Sequence, residues 1–228
     1  MCRITVVLAL ALVVSAPAMA QEWAPYRNVR DGFTALFPGA PTVTDTTWKA
    51  QSGFILPERV YAYQKGRERH ALRVVDYTQI EPIARERAKS CPEGAETCLG
   101  TEGLSGVGYW KHDVRGALLF ATLQYLKQEV EVTDLYWNQQ DLVEGYVMQL
   151  TSRADGSRTY TFIAMHEMKL YIAESTVPKG YPEPALFIQA IGWLDKDGNS
   201  LRYRGLYSHE IHGLREAPVP AVTRTPAP

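Results

Sequence analysis

Apolar and polar residues alternate with a period of two along most of the chain, and the period becomes helical in three places. Residues 33–37 form a short apolar run closed by Pro38-Gly39-Ala40-Pro41, which predicts a strand and a tight corner. Residues 42–48, 54–63 and 70–77 are rich in β-branched and aromatic side chains and are separated by Gly53 and by Lys65-Gly66, the pattern of an antiparallel meander. Four more strand-like runs cover residues 129–137, 142–152, 158–166 and 168–175, with Asp155-Gly156 as a hairpin turn. The helical period covers residues 81–90, where Ile80, Ala84 and Ala88 share one side. It returns from Asp113, read as an N-cap, to about Lys127, with Leu118, Leu119, Leu123 and Leu126 as an apolar face. A third helix is expected over residues 183–194, and Asp197-Gly198-Asn199 then turns the chain into a last strand over residues 201–211.

These elements predict an α+β fold, an antiparallel sheet of about 6–8 strands flanked by two or three helices. A single domain is expected over residues 32–214, preceded by a linker at 21–31 and followed by a proline-rich, disordered tail at 215–228. The hairpin over residues 59–77 and the Glu81-Pro82 after it echo residues 158–175 and the later Glu183-Pro184. That echo hints at two similar units within the sheet.

Residues 1–20 carry Arg3, an apolar run from Ile4 to Val14, Pro17 and then Ala18-Met19-Ala20 before Gln21, the layout of a secretory signal peptide. The apolar run falls short of the roughly twenty residues of a membrane anchor, so no integral membrane segment is expected after cleavage. The expected location is the periplasm or the extracellular medium. In such an oxidising compartment Cys91 and Cys98, with six residues between them, are expected to form a disulfide. Closing so small a loop would contribute only about 2.5 kcal/mol in the entropy account. A redox pair or half a zinc site is the alternative; the spacing is not C-x-x-C, and only His112 lies nearby in sequence.

The chain of 228 residues has 46% hydrophobic and 21% charged residues and a net charge of −1, the composition of an ordinary globular protein. The charge balance gives no electrostatic footprint for a nucleic acid. Motifs that point to chemistry stop short. Asp195-Lys196-Asp197-Gly198-Asn199 matches the start of a calcium loop, but Ser200 and Leu206 stand where glycine and glutamate are needed, so a plain turn is expected. Gly100, Gly103, Gly106 and Gly108 lack the Gly-Lys-Ser/Thr ending of a phosphate loop, and Ser105 lacks the glycine two residues later that a nucleophile elbow requires. His209 and His212 are three apart on a predicted strand, so their rings point to opposite faces. No metal site, cofactor or catalytic residue is assigned. Asp76, Glu144 and Glu174 lie in strand-like runs and could form an acid/base pair across a sheet, which keeps open a secreted hydrolase of a glycan or peptide.

Aromatic residues are the richer signal, with thirteen tyrosines and five tryptophans. The long loop from Cys91 and its neighbours put Tyr109, Trp110, Tyr61 and Tyr63 forward as a contact surface for a periplasmic protein or a glycan; core packing is the competing account. Phe33-Thr34-Ala35-Leu36-Phe37-Pro38-Gly39-Ala40-Pro41, with the hairpin from Tyr61 to Tyr77, resembles the F-x-x-x-F-P-G-x-P opening of small exported bacterial proteins with a PsbP-like fold. Met168 to Gly192 is similar to that family's closing strand, proline-bearing link and final helix. The resemblance implies an antiparallel sheet flanked by helices and an accessory or binding role, and it carries over no catalytic residue. A non-catalytic binding module is therefore the expected function.

Overall fold

The structure, a computed structural model, describes residues 23–90, 110–209 and 222–224. Residues 1–20, read as a signal peptide, and Cys91, Cys98, Tyr109 and His212 lie outside these residues. Seven strands form the main antiparallel sheet: β3 (Thr42–Lys49), β4 (Ile55–Lys65), β5 (Glu68–Asp76), β6 (Val130–Gln140), β7 (Val143–Ser152), β8 (Arg158–His166) and β9 (Lys169–Val177), in the order β3-β4-β5-β9-β8-β7-β6. All seven predicted runs are strands here. The two echoing hairpins meet at the centre, where β5 pairs with β9 in a register that sets His70 opposite Ser175.

A second antiparallel sheet was not foreseen. Its five strands are β1 (Ala24–Asn28), β2 (Phe33–Phe37), β10 (Gly192–Leu194), β11 (Ser200–Arg202) and β12 (Val222–Arg224), and their order follows the chain. The protein is thus mostly β rather than an even α+β mixture. The segment read as a linker contains β1, because Tyr26 and its neighbours find ladder partners in the apolar β2. The predicted third helix shrinks to α4 (Ala185–Gln189), since Trp193 and Leu194 pair with β2 and β11 instead of continuing the helix. The predicted last strand shortens to β11, and the segment read as a disordered tail supplies β12.

Three other helices are α1 (Ile80–Ala88), α2 (Trp110–Arg115) and α3 (Ala117–Leu126). Asp113, expected to cap one long helix, is buried within α2, where its Oδ1 accepts a hydrogen bond from the Ser52 N–H at 2.8 Å. The helix breaks at Gly116, where an added β-carbon would come within 3.0 Å of the His112 carbonyl.

Layering follows from the period of two. One face of the main sheet presents Tyr61, Leu72, Phe162 and Tyr171 to the second sheet and α4, with Phe33, Phe37, Phe187 and Trp193 opposite. The other face presents Leu56, Val75, Ile163 and Ile172 to Ile80 and Ala84 of α1, Val114 of α2 and Ala121 of α3. α1 and α4 lie on opposite faces. A twofold relating antiparallel neighbours runs normal to the sheet and would keep both helices on one face, so the echo is not an internal symmetry.

Candidate functional site

Of the aromatic residues singled out from sequence, the described ones are wholly or partly buried. Tyr61 is fully buried; its hydroxyl donates to Asp31 Oδ2, and burial followed by this bond pushes its pKa above the usual range. Tyr63 is half-buried and lies over Gly39, and Trp110 is buried at the start of α2 with Lys111 Nζ 5.5 Å from its ring centroid. These three do not meet on a surface. A sheet covered on both sides absorbs its large side chains, whichever face they point to.

The carboxylates proposed as a pair are also held apart. Asp76 stands opposite Lys169, Glu144 opposite Gln139, and Glu174 between Ala71 and Thr161, so no two of them face each other. Glu174 is engaged by Arg69 Nη1 at 2.6 Å and the Tyr125 hydroxyl at 2.7 Å. Asp195, at the head of the calcium-like run, accepts from the backbone N–H groups of Asp197 and Asn199 at 2.9 and 2.8 Å and builds the turn between β10 and β11.

One arrangement has the connectivity of a hydrolase triad. Ser175 Oγ and His70 Nδ1 share a hydrogen bond at 2.6 Å, and His70 Nε2 lies 2.8 Å from Glu68 Oε1. Its exposure runs the wrong way for catalysis. Ser175 and His70 are fully buried while Glu68 is the partly exposed end, and Trp23 and Phe187 pack on the imidazole at 5.1 and 5.3 Å. A nucleophile must reach its substrate, so the chain of bonds is a core network satisfying buried polar groups. Burial, only partly offset by Glu68, lowers the His70 pKa.

A second polar cluster ties the two sheets together. Asp31, in the turn between β1 and β2, binds Arg59 Nη1 at 2.6 Å and the Tyr61 hydroxyl, and its carbonyl accepts from the Tyr171 hydroxyl at 2.6 Å. Arg59 also binds Asp45 at 2.9 Å. The adjoining cavity of about 380 Å³ is therefore lined by charges that already serve one another.

Apolar side chains do reach solvent along β6 and α3. β6 is eleven residues long and ends the main sheet, so its outer backbone groups have no strand partner among the described residues. Leu135, Tyr136 and Trp137 are 47%, 50% and 54% exposed, and Leu119 of α3 is 61% exposed. Leu119, Leu123 and Leu126 make a stripe on α3 opposite its buried Ala117, Ala121 and Tyr125. A bulge between Val132 and Asp134 changes the alternation of β6. Val132, Leu135 and Trp137 consequently fall on the helix side, while Glu131, Asp134 and Tyr136 fall on the other. Neither Glu131 nor Asp134 makes an ion pair among the described residues.

Beside Trp137 a cavity of about 160 Å³ opens on the helix side, lined by Arg115, Leu119, Trp137, Glu144, Tyr146 and His209 among others. Glu144 and Tyr146 reach it from β7, and Trp137 stands opposite Tyr146 across the ladder. The segment carrying His209 is fixed to β7 by bonds from Tyr207 N–H to the Leu142 carbonyl (2.8 Å) and from Glu144 N–H to the Tyr207 carbonyl (3.1 Å). His209 is 2% exposed and neither ring nitrogen has a hydrogen-bond partner. Burial lowers its pKa to about 4, so it is neutral at physiological pH.

No known protein family matches the sequence, and no curated protein matches it. Among solved structures, the chain is similar to the solution structure of cyanobacterial PsbP (CyanoP) from Synechocystis sp. PCC 6803, at 9% identity and a TM-score of 0.35, over 74% of this chain and 87% of that one. The resemblance to a PsbP-like fold is partial. Among the described residues, no helix is long and apolar enough to cross a membrane.

Sequence reasoning did not put β6 forward as an exposed edge, and it weighed His209 only as a partner of His212. The signal for β6 was its composition, Leu135-Tyr136-Trp137 in a run without lysine, arginine or proline. For His209 the sequence carries no such signal, because its burial depends on packing against β7.

Proposed function

We propose that this protein is an exported, non-catalytic binding or accessory module that takes up an extended segment of a partner protein along β6. The observation that carries the reading is the contrast between the two edges of the main sheet. β3 is an edge of threonines with Asp45 and Lys49, and Val43 is its one exposed large apolar residue, which suits an edge facing water. β6 has no cation and no proline, and it exposes three large apolar residues in a row. Strand addition to such an edge supplies main-chain hydrogen bonds for affinity, and alternate side chains supply specificity.

The occupant follows from the two rows on β6. Its helix side is apolar and its other side carries the unpaired acids Glu131 and Asp134, so the complementary strand alternates apolar residues with lysine or arginine. A second copy of β6 would bring only further acids to this edge. Export is supported by the layout of residues 1–20, and the periplasm or the extracellular medium is the proposed location.

The test is fluorescence anisotropy with a labelled ten-residue peptide alternating leucine with lysine, against the same peptide with glutamate for lysine. Binding of the basic peptide alone, reversed to the acidic peptide in a Glu131→Lys, Asp134→Lys variant, supports the reading. Equal binding of both peptides, binding of neither, or a concentration-dependent dimer through β6 overturns it.

A further inference from the structure

We propose that the cavity where the turn between β6 and β7 meets the second sheet binds a protonated primary amine, the ammonium head of a lysine side chain or of a free alkylamine. Gln140, the last residue of β6, stands opposite Val143, which belongs to the core between the two sheets, so the site lies on the side of the main sheet away from α3 and Trp137. It does not depend on the partner strand proposed above.

The cavity has a volume of about 250 Å³, and its lining includes Thr34 of β2, Gln140 and Asp141 at the β6–β7 turn, Gln189 at the end of α4, Gly192 of β10 and Ser200 of β11. Three observations define the ligand. First, hydrogen-bonding groups converge here without partners. The side chains of Thr34, Gln140, Gln189 and Ser200 make no hydrogen bond among the described residues. Gln140 is 9% exposed, yet neither polar atom of its amide is sealed from solvent, so the amide opens into the cavity that it lines. A buried amide left unbonded is destabilising, and a pocket that gathers such groups is set for a ligand that bonds them. Second, the charge has one sign. Asp141 is the one ionisable residue of the lining among the described residues; its Oδ2 has no partner, and its Oδ1 meets only Arg202 Nη2 at 3.5 Å. A cation gains a charge-assisted bond at this carboxylate, roughly twice as strong as a neutral one, whereas an anion is repelled. An ammonium group carries three donors and no acceptor, which the carboxylate, the amide oxygens and the hydroxyls answer as acceptors. Third, the floor is a glycine. A β-carbon at Gly192 would lie 2.8 Å from Thr34 Cγ2 and 3.4 Å from Asp141 Oδ2, so any side chain there would fill the space beside the carboxylate. A bare divalent cation, which takes six or more close oxygens, is under-coordinated by one carboxylate in a space of this size; an ammonium on an alkyl chain fills it.

The test follows the side-chain amide resonances of Gln140 and Gln189 by NMR while n-butylamine, putrescine and Nα-acetyl-lysine methylamide are titrated at neutral pH, with butyrate and n-butanol as controls. At least one amine is expected to shift both amides to saturation, and the controls are expected to shift neither. Affinity should fall tenfold or more in Asp141→Asn, a variant that keeps the turn because asparagine is at home at the φ of 45° of this position. Gln189→Ala, at the end of α4, is a second variant expected to weaken binding should the turn be altered. Tightest binding of the lysine derivative supports a protein partner as the source of the amine, and tightest binding of putrescine a free amine. Absence of a shift with every amine, equal shifts with butyrate or n-butanol, an affinity unchanged in folded Asp141→Asn, or displacement of the amines by an equal concentration of calcium chloride overturns the proposal. The Glu131→Lys, Asp134→Lys variant should bind the amines as before, which separates failure of this site from failure of the strand-addition reading.

Discussion

A β-carbon added at Gly39 would lie 2.4 Å from Cε2 of Tyr63 and 3.1 Å from its Cδ2, so the corner at Pro38-Gly39 exists in this form because a tyrosine ring lies across it. Gly39→Ala is expected to cost about 1–3 kcal/mol through overpacking, and much less when Tyr63→Ala is also present. Urea titration of the four proteins of this cycle measures the coupling; additivity would mean that the ring does not hold the corner. The turn chemistry of this corner was legible in the sequence, since proline and glycine act locally. The role of Tyr63 was not, because the strand that carries it returns from more than twenty residues away. The same holds for Ser175 and His70, a bonded pair separated by 105 residues.

At the scale of elements, the hairpin of β1 and β2 is pinned to the main sheet by the Asp31 carboxylate. Asp31→Ala strips from the largely buried Arg59 the more buried of its two carboxylate partners, leaving the exposed Asp45, and removes the acceptor from the buried Tyr61 hydroxyl, while Tyr171 keeps its bond to the backbone. Breaking a buried pair by removing one partner costs about 3–5 kcal/mol, and thermal unfolding should detect it as a large loss in Tm. A loss within that of an ordinary surface substitution would mean that the hairpin is held by Phe33 and Phe37 alone. The long strands were readable because β-branched and aromatic residues persist in them over nine to eleven residues. β1, β10 and β12 were not, since each is five residues or fewer and is fixed by a partner distant in the sequence. The turns between β6 and β7 and between β8 and β9 place Asp141, Leu142, Glu167 and Met168 at positive φ, where glycine or asparagine is usual.

For the whole molecule, both faces of the main sheet are covered, and the unbroken burial of Tyr160 to His166 in β8 is the mark of it. That near-continuous apolar run was the available clue to a second covering layer, because a one-sided sheet would have alternated. Burial of histidine beneath these layers makes stability depend on pH. The His166 pKa is lowered to about 3, by burial first and then by His209 and Lys169, and burial lowers that of His209 to about 4. Both histidines titrate near 6.5 when unfolded, so below that value the unfolded chain takes up protons that the native state refuses. Stability should therefore fall as pH drops from about 6.5 towards 4, by roughly 2 kcal/mol for each histidine at pH 5. Urea midpoints measured from pH 7 to pH 5 check this; half the expected fall would mean that one ring is open to solvent, and a flat profile that both are.

The pairing of β5 with β9 also sets an order of events. These two central strands are neighbours in space, yet the chain between them contains α1, α2, α3 and three other strands. Synthesis must deliver about three quarters of the polypeptide before the middle of the sheet can close, and closure over such long separations is slow. The fold so arranged delays its own completion, and a fragment that stops short of β9 lacks the strand that joins the two halves of the main sheet.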